Sequence, residues 1–181
     1  MDNHYSSETK CIPSGWNPGN GEARQIPIYQ STTFKYDSAD EMGKLFDLEA
    51  NGYFYTRLQN PTNDAVAARI ADLEGGVGAI LTSSGQAATF FSIFNICEAG
   101  GHIICTSEIY GGTFNLAGVT LKKMGIDCTF VSADADDEEL DAAFRPHTKL
   151  VFAEPIANPH TGVPAWVGDE RGEDQLGWEA D

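Results

Sequence analysis

The sequence has 181 residues, of which 41% are hydrophobic and 21% are charged, and its formal net charge at pH 7 is −16. This composition is typical of a globular protein with a core, while the excess of acids argues against a nucleic-acid partner, because neutralising a nucleic-acid backbone requires clustered Lys and Arg. No apolar run reaches the roughly 18 residues that span a bilayer, and the N-terminus lacks an apolar signal segment, so we expect no membrane partner and a cytoplasmic location.

The first third of the chain is predicted to be an arm followed by two helices. Residues 1–36 are rich in Gly and Pro and show no hydrophobic period, which predicts an extended arm rather than a packed element. Ser38 has the position of an N-cap for a short helix that runs to Leu48. After a loop rich in Gly and Tyr, Thr62 is the predicted cap of the next helix, which ends at Gly75.

The second part of the chain alternates apolar, strand-like segments with helical ones. The strands are predicted to begin near residues 77, 102, 127 and 149, and the helices to span 86–98, 113–124 and 136–144. Strands that alternate with helices in this way form βαβ units. We therefore expect an α/β fold, with at least four mostly parallel strands and helices on both faces of the sheet.

A break in an apolar segment marks the predicted ligand site. The sequence "AILTSSGQAATFF" places small and polar residues, Ser83 to Gln86, directly after a predicted strand and at the start of a helix. Ligands of open α/β sheets bind at the carboxyl ends of strands, and free amides at a helix N-terminus bind anions. The pattern predicts a phosphate site; the alternative is that Gly85 only allows a strand and a helix to pack closely.

Common phosphate, metal and nucleophile motifs are missing from the sequence. It contains no "GK[ST]" for a P-loop, no Gly-x-Gly-x-x-Gly between strand and helix, and no Gly-x-Ser-x-Gly elbow. The four histidines and four cysteines lack the spacing of metal ligands, so we expect no metal and reduced thiols. A nucleotide-binding module therefore has no matching fingerprint.

Four further residues complete the predicted pocket. Tyr110 follows the second predicted strand and can stack on a planar ligand, although a rim tyrosine would give the same pattern. Asn158 follows the last strand and offers a neutral donor and acceptor. Upstream, "YFYTR" supplies Tyr55 and Arg57, a phenol and a guanidinium that suit a phosphate. Together they predict a phosphate cradle, a ring platform and a polar contact.

These motifs, "YFYTRLQNPT", "TSSGQ", "EIYGGT" and "EPIANP", resemble those of the cystathionine gamma-synthase family of pyridoxal-phosphate (PLP) enzymes of cysteine and methionine metabolism. The similarity is greatest to the O-acetylhomoserine sulfhydrylase branch and covers the chain from about residue 9 to about residue 159. It implies part of the large domain of a fold-type I, aspartate aminotransferase-like enzyme, with PLP as the cofactor and a small amino acid as the substrate.

The resemblance also implies roles for individual residues. The implied cofactor-binding residues are Tyr55, Arg57, Ser84, Gly85, Gln86, Tyr110 and Asn158. Gly85 and Gln86 would give backbone amides to the phosphate, and Asn158 would contact the ring hydroxyl. Tyr110 would stack on the pyridine ring and act catalytically by moving protons. Tyr55 and Arg57 would reach a neighbouring subunit's phosphate, which implies a homodimer or homotetramer with shared sites.

The implied reaction is gamma-replacement, in which O-acetyl-homoserine loses acetate and gains sulfide or methanethiol to give homocysteine or methionine. After "EPIANP" the family continues to a Schiff-base lysine that this sequence lacks, so we expect a chain truncated before that lysine and inactive alone. The alternatives are a non-catalytic remnant, or a methionine gamma-lyase or cystathionine gamma-synthase of the same family.

The expected organisation follows from the same observations. We expect an N-terminal arm and short helix over 1–50, a partial PLP-binding large domain over 51–164, and a divergent tail over 165–181. The tail has six acids and one Arg with no apolar period, which predicts disorder.

Overall fold

The computed structural model describes residues 5–156. The chain divides into two compact units, Met1–Leu81 and Thr82–Asp181. The helices of the first unit are α1 (Ser7–Lys10), α2 (Ala39–Phe46) and α3 (Pro61–Glu74). Among the described residues, no helix has the length and apolar character needed to cross a bilayer.

The ends of the helices in the first unit are set by caps. Ser38 Oγ accepts a hydrogen bond from the backbone N–H of Glu41 at 3.2 Å, which confirms it as the N-cap of α2. The prediction that Thr62 caps α3 is wrong, because Asn60 Oδ1 accepts from Thr62 N at 2.9 Å. Pro61 then fills the first helical position, where no N–H is required. Gly75 ends α3 in a left-handed conformation, as predicted.

Part of the N-terminal arm is packed, contrary to the prediction of an unpacked segment. Helix α1 lies against α3, and Lys10 Nζ is 3.2 Å from Asp72 Oδ1. Arg69 Nε donates to the carbonyl of Ser14 at 2.8 Å. At Gly15 the backbone comes so close to α3 that any side chain would collide with a carbonyl of that helix. The anchoring groups are polar, so a search for hydrophobic periodicity does not detect them.

The second unit contains a three-stranded parallel sheet. Its strands are β1 (His102–Thr106), β2 (Asp127–Val131) and β3 (Thr148–Phe152), and β1 lies in the middle in the order β2-β1-β3. The helical segments are α4 (Gly85–Ile96), α5 (Gly111–Asn115), a π-helical turn (Leu116–Thr120), α6 (Leu121–Lys123) and α7 (Asp137–Ala143). Parallel strands joined through helices confirm the predicted α/β class.

Helices cover both faces of the sheet. On one face, Ile103 and Cys105 of β1 pack in a cluster with residues of α4 and of the π-helical turn, including Ile93 and Leu116. On the other face, Ile104 packs in a cluster with residues of β2 and α7. Because successive side chains of a strand point to opposite faces, a fully buried central strand such as β1 must be apolar throughout most of its length. The result is a three-layer arrangement of helix, sheet and helix.

The first of the four predicted strands does not form. The segment 77–81 has no strand conformation, and Val77 and Ile80 are exposed. Its apolar sequence shows that these residues are suited to burial, but a strand also requires a neighbour that accepts and donates its backbone hydrogen bonds. No strand of the described residues pairs with this segment. The prediction of a strand beginning near residue 77 is therefore wrong for this structure.

Candidate functional site

A cleft of about 700 Å³ lies at the carboxyl end of the sheet in the second unit. Its lining includes Gly85 and Gln86 from the start of α4, Tyr110 from the loop after β1, and Glu154 from the loop after β3. The carboxyl ends of neighbouring parallel strands meet at one edge of a sheet, which is why loops distant in sequence converge here. The structure thus brings three predicted site residues together around one cleft.

The N-terminus of α4 presents unpaired backbone donors. Ser84 is the N-cap, and its Oγ accepts from Ala87 N at 3.1 Å. The first intrahelical bond is made by Ala88 N, which donates to the carbonyl of Ser84 at 3.0 Å. The amides of Gly85 and Gln86 precede that bond and have no acceptor among the described residues. Two free N–H groups at the positive end of a helix dipole form a site for an anion.

The space in front of these amides is open. An added Cβ at Gly85 would have no atom within 4 Å, so the residue does not serve to let a strand and a helix pack closely. The alternative that Gly85 only allows a strand and a helix to pack closely is therefore not supported. Among the lining residues of this cleft in the described part of the chain, there is no Lys or Arg. The groups that the described cleft lining offers an anion are therefore neutral N–H groups, aided by the helix dipole.

Tyr110 forms one wall of the cleft. Its side chain is 52% exposed, and it directly precedes α5, for which it makes no side-chain cap. The Tyr110 ring lies against Gly112, where any side chain would collide with the ring. Gln86 reaches the same place from α4, with its Nε2 3.5 Å from the carbonyl of Gly112. The ring is thus placed at the wall of the cleft that the start of α4 also lines.

A π-helical turn follows this wall directly. Leu116 and Thr120, which begin and end the turn, both line the cleft. The sequence predicted an ordinary helix over 113–124; the structure has helix from Gly111 to Lys123 with this wider turn inside it. Single π-helical turns occur often at functional sites, because they widen the helix and shift side chains relative to a regular α-helix. This position is consistent with a site in the cleft.

The remaining predicted site residues lie elsewhere. Tyr55 and Arg57 belong to the first unit, where the guanidinium carbon of Arg57 is 5.3 Å from the centre of the Tyr55 ring. Tyr55 also forms an antiparallel bridge with Thr33. Asn158 lies outside the described residues. The roles assigned to all three remain predictions.

Glu154 is a cleft residue that the sequence analysis did not single out. It lies within the quoted motif "EPIANP", and its Oε1 accepts a hydrogen bond from the backbone N–H of Tyr110 at 3.1 Å. The available signal was its position, an acid just beyond the carboxyl end of an apolar strand. Its partner is a backbone group 44 residues away, which no local pattern indicates.

Comparison with known proteins places the chain among PLP enzymes. The profile of the Cys/Met metabolism PLP-dependent enzyme family matches residues 8–165. The chain is 46% identical over 160 residues to O-acetyl-L-homoserine sulfhydrylase of Corynebacterium glutamicum, covering 88% of this chain and 37% of that protein. It is 43% identical over 152 residues to L-methionine gamma-lyase of Treponema denticola, covering 84% of this chain and 38% of that protein.

A solved structure gives the same result for the fold. The O-acetylhomoserine (thiol)-lyase of Campylobacter jejuni, solved with a pyridoxyl-lysine phosphate, matches with a TM-score of 0.81 and 32% identity. The match covers 90% of this chain and 40% of that one. The fold is that of part of the large domain of fold-type I PLP enzymes, and the chain spans about two-fifths of the length of these relatives.

Proposed function

The chain belongs to the Cys/Met metabolism PLP-dependent enzyme family, and from this premise we propose that it supplies the phosphate-binding and ring-stacking part of a PLP site. The reaction we propose for the whole enzyme is the replacement of the acetoxy group of O-acetyl-homoserine by sulfide or methanethiol. Its support is the similarity to relatives named as O-acetylhomoserine sulfhydrylases. The single observation in this chain that carries the proposal is the pair of free amides at the start of α4.

The cleft residues fit the cofactor in two respects. Gly85 and Gln86 offer N–H groups in open space, where a phosphate can approach the backbone without meeting a side chain. Tyr110 offers a ring beside them, and aromatic rings favour offset stacking on planar ligands. The cofactor would supply the electron sink for chemistry at the substrate. This chain's residues would bind the phosphate, orient the ring and, through the Tyr110 hydroxyl, hold a proton near the substrate.

Gamma-elimination is a second candidate reaction. The observation that favours it is the similarity to an L-methionine gamma-lyase, which is nearly as high as that to the sulfhydrylase. Both reactions would use the same phosphate cradle and ring platform. Supplying O-acetyl-homoserine and sulfide to the whole enzyme separates them, because replacement yields homocysteine whereas elimination yields ammonia and a keto acid.

We further propose a shared-site homodimer or homotetramer that acts in the cytoplasm. The support for sharing is the adjacency of Tyr55 and Arg57, which present a phenol and a guanidinium together. The support for a reducing compartment is that all four cysteines are free thiols, two of them buried. Sedimentation at several protein concentrations tests the assembly. A comparison of cofactor retention between Arg57→Ala and the original protein tests whether Arg57 contributes to the site.

Titration with PLP tests the phosphate site in the 181-residue chain. We expect weak binding, and a loss of affinity of at least about tenfold in Gly85→Asp, because the new carboxylate would face the phosphate and repel it. Gly43→Asp is the matched control: it introduces the same charge at a helical glycine with equally open surroundings, in α2. That variant should bind PLP within about twofold of the original chain. Equal affinities for all three proteins would overturn the proposal.

Reduction with borohydride tests whether the chain alone can capture the cofactor. A covalent bond to PLP requires a lysine beside its carbonyl carbon. Because the described cleft lining contains no lysine, we expect scattered, substoichiometric labelling of the six lysines and no turnover. Stoichiometric labelling of one lysine, together with turnover of O-acetyl-homoserine, would contradict the expected inactivity of the isolated chain.

A further inference from the structure

Glu154 connects the two loops that border the cleft. It follows β3, and its Oε1 accepts from the backbone N–H of Tyr110, in the loop after β1, at 3.1 Å. Strands β1 and β3 are neighbours in the sheet, so this hydrogen bond ties together the loops at two adjacent carboxyl ends. A carboxylate acceptor makes a stronger bond to an amide than a neutral acceptor does.

Tyr110 has few restraints on its backbone besides this one; its carbonyl accepts from Phe114 N at 2.9 Å. The side chain is half exposed, so packing restrains it on one side only. It precedes the short helix α5 and provides no side-chain cap for it, which leaves the start of that helix without the usual local bond. The hydrogen bond that the Tyr110 N–H donates to Glu154 holds the backbone at the residue whose ring borders the cleft.

The contact with Gly112 restrains the orientation of the Tyr110 ring relative to its backbone. The Tyr110 ring occupies the space that a side chain at Gly112 would fill. With the backbone held at its N–H, rotation of the ring away from the cleft gives up the contact with Gly112. The ring therefore stands ready beside the amides of α4 before any ligand arrives.

We propose that Glu154 is a positioning residue that orients Tyr110 as the platform for the pyridine ring of PLP. This proposal rests on the proposed function of the cleft. Glu154 acts through the Tyr110 backbone, whereas the phosphate is held separately by the amides of Gly85 and Gln86. At constant charge, loss of the acceptor oxygen at residue 154 therefore weakens binding of a ligand that has a ring and leaves binding of inorganic phosphate unchanged.

Glu108 provides a matched control within the same unit. Its Oε2 accepts from the backbone N–H of Ala133 at 2.8 Å, so it also joins two loops at the carboxyl end of the sheet. It does not line the cleft. Glu108→Ala removes the same kind of bond, between the loops after β1 and β2, without touching Tyr110.

The first measurement is amide hydrogen exchange of Tyr110 in the ligand-free chain, followed by NMR. We expect exchange at least about tenfold faster in Glu154→Ala than in the original chain, because the N–H loses its acceptor. Glu154→Gln keeps an acceptor oxygen at the same reach and should restore slow exchange. Unchanged exchange in Glu154→Ala would overturn the proposal. If that variant does not fold, Glu154→Asp, whose side chain is one methylene shorter, takes its place.

The second measurement compares affinities for PLP and for inorganic phosphate. Glu154→Gln removes the same negative charge from the cleft as Glu154→Ala and keeps an acceptor oxygen, so it is the reference for both ligands. In Glu154→Ala the PLP affinity should be at least about threefold below that of Glu154→Gln, while the phosphate affinities of the two variants stay the same. In Glu108→Ala both affinities should match those of the original chain. Equal losses for both ligands would show a general structural role and overturn the proposal. A PLP affinity insensitive to Gly85→Asp would instead refute the phosphate site, and the exchange measurement would still judge Glu154.

Discussion

Strand β1 begins at a buried histidine, His102, and ends at a buried threonine, Thr106, and the two ends differ in how their polar atoms are paired. His102 Nδ1 is 2.7 Å from Thr148 Oγ1 of β3, and its Nε2 is 2.9 Å from Thr129 Oγ1 of β2. Thr106 Oγ1 has no hydrogen-bond partner among the described residues. The amino end of the sheet uses its polar groups within the fold, whereas unpaired donors collect at the carboxyl end, where the cleft lies.

The pairing at the amino end is complete when the His102 ring is neutral. Each threonine hydroxyl also accepts a hydrogen bond from Arg145. The backbone N–H of Arg145 donates to Thr148 Oγ1 at 2.8 Å, and the Nη2 of Arg145 donates to Thr129 Oγ1 at 3.2 Å. A neutral imidazole has one donor and one acceptor, so one hydroxyl can donate to it and the other can accept from it. A protonated ring would donate to both and would add a second positive charge near Arg145.

Removing the imidazole should have the largest effect on stability. We expect His102→Ala to lower the free energy of unfolding by about 3 kcal/mol, because it leaves a cavity and two unpaired hydroxyls at the centre of the sheet. Urea unfolding followed by circular dichroism measures this. His147→Ala is the control, since the exposed His147 has its ring centre 5.9 Å from that of His102 in an edge-to-face pair and its carbonyl, which accepts from His102 N, is kept; it should cost about 0.5 kcal/mol or less. Equal losses in the two variants would contradict the cross-linking role.

Lowering the pH should reduce the free energy of unfolding by less than His102→Ala does, because the imidazole ring stays in place. Burial, and then the charges of Arg145 and His147, hold the pKa of His102 below its usual value of 6.5, with Asp127 opposing them. Below pH 6.5 the unfolded chain binds a proton that the folded chain does not, so stability falls as the pH drops from 6.5 to the pKa of the folded state.

Urea unfolding between about pH 8 and pH 5 measures this dependence. The many carboxylates also titrate in the lower part of this range, so the informative quantity is the difference between the original chain and His102→Gln. That difference should shrink as the pH falls, because the variant has no group that protonates at this position. A difference that does not change with pH would show that His102 is not held neutral by the fold.

The opposite end of β1 should respond to the smallest change. We expect Thr106→Val to raise the free energy of unfolding by about 1 kcal/mol, because valine has nearly the same shape and removes a buried hydroxyl without a partner. Thr148→Val is the matched substitution at the other end and should lower it by about 1 kcal/mol or more, since that hydroxyl has two partners. Urea unfolding measures both variants. If Thr106→Val and Thr148→Val changed the free energy of unfolding in the same direction, the proposed difference between the two ends of β1 would be contradicted.

The sequence predicted those elements whose signals are local. Ser38 and Asp136 mark helix starts because their side chains bond to amides three residues on, and Gly75 marks an end because it adopts a left-handed conformation. The three sheet strands were found from apolar runs of matching length. The segment near residue 77 has the same local signal but lacks a neighbouring strand, so the same reasoning failed there.

Only part of the site could be predicted from the sequence. Gly85 and Tyr110 were expected to meet because the carboxyl-edge rule depends only on strand order and direction. Glu154 and the His102 cluster were missed because their partners are a backbone amide and two hydroxyls that lie 27 or more residues away. Such partners leave no periodic trace in the sequence. Long-range polar contacts therefore have to be read from the structure.

The π-helical turn at Leu116–Thr120 sets the rotation about the helix axis between the residues before it, which border the cleft, and the residues after it, which pack in the core. Each residue of an α-helix turns the chain by about 100°, so deleting one residue here would rotate everything before the turn against everything after it by about that angle. Gly112, beneath the Tyr110 ring, and Leu121, fully buried, could not both keep their directions. The number of residues in this stretch is therefore under stronger constraint than the identity of most of them.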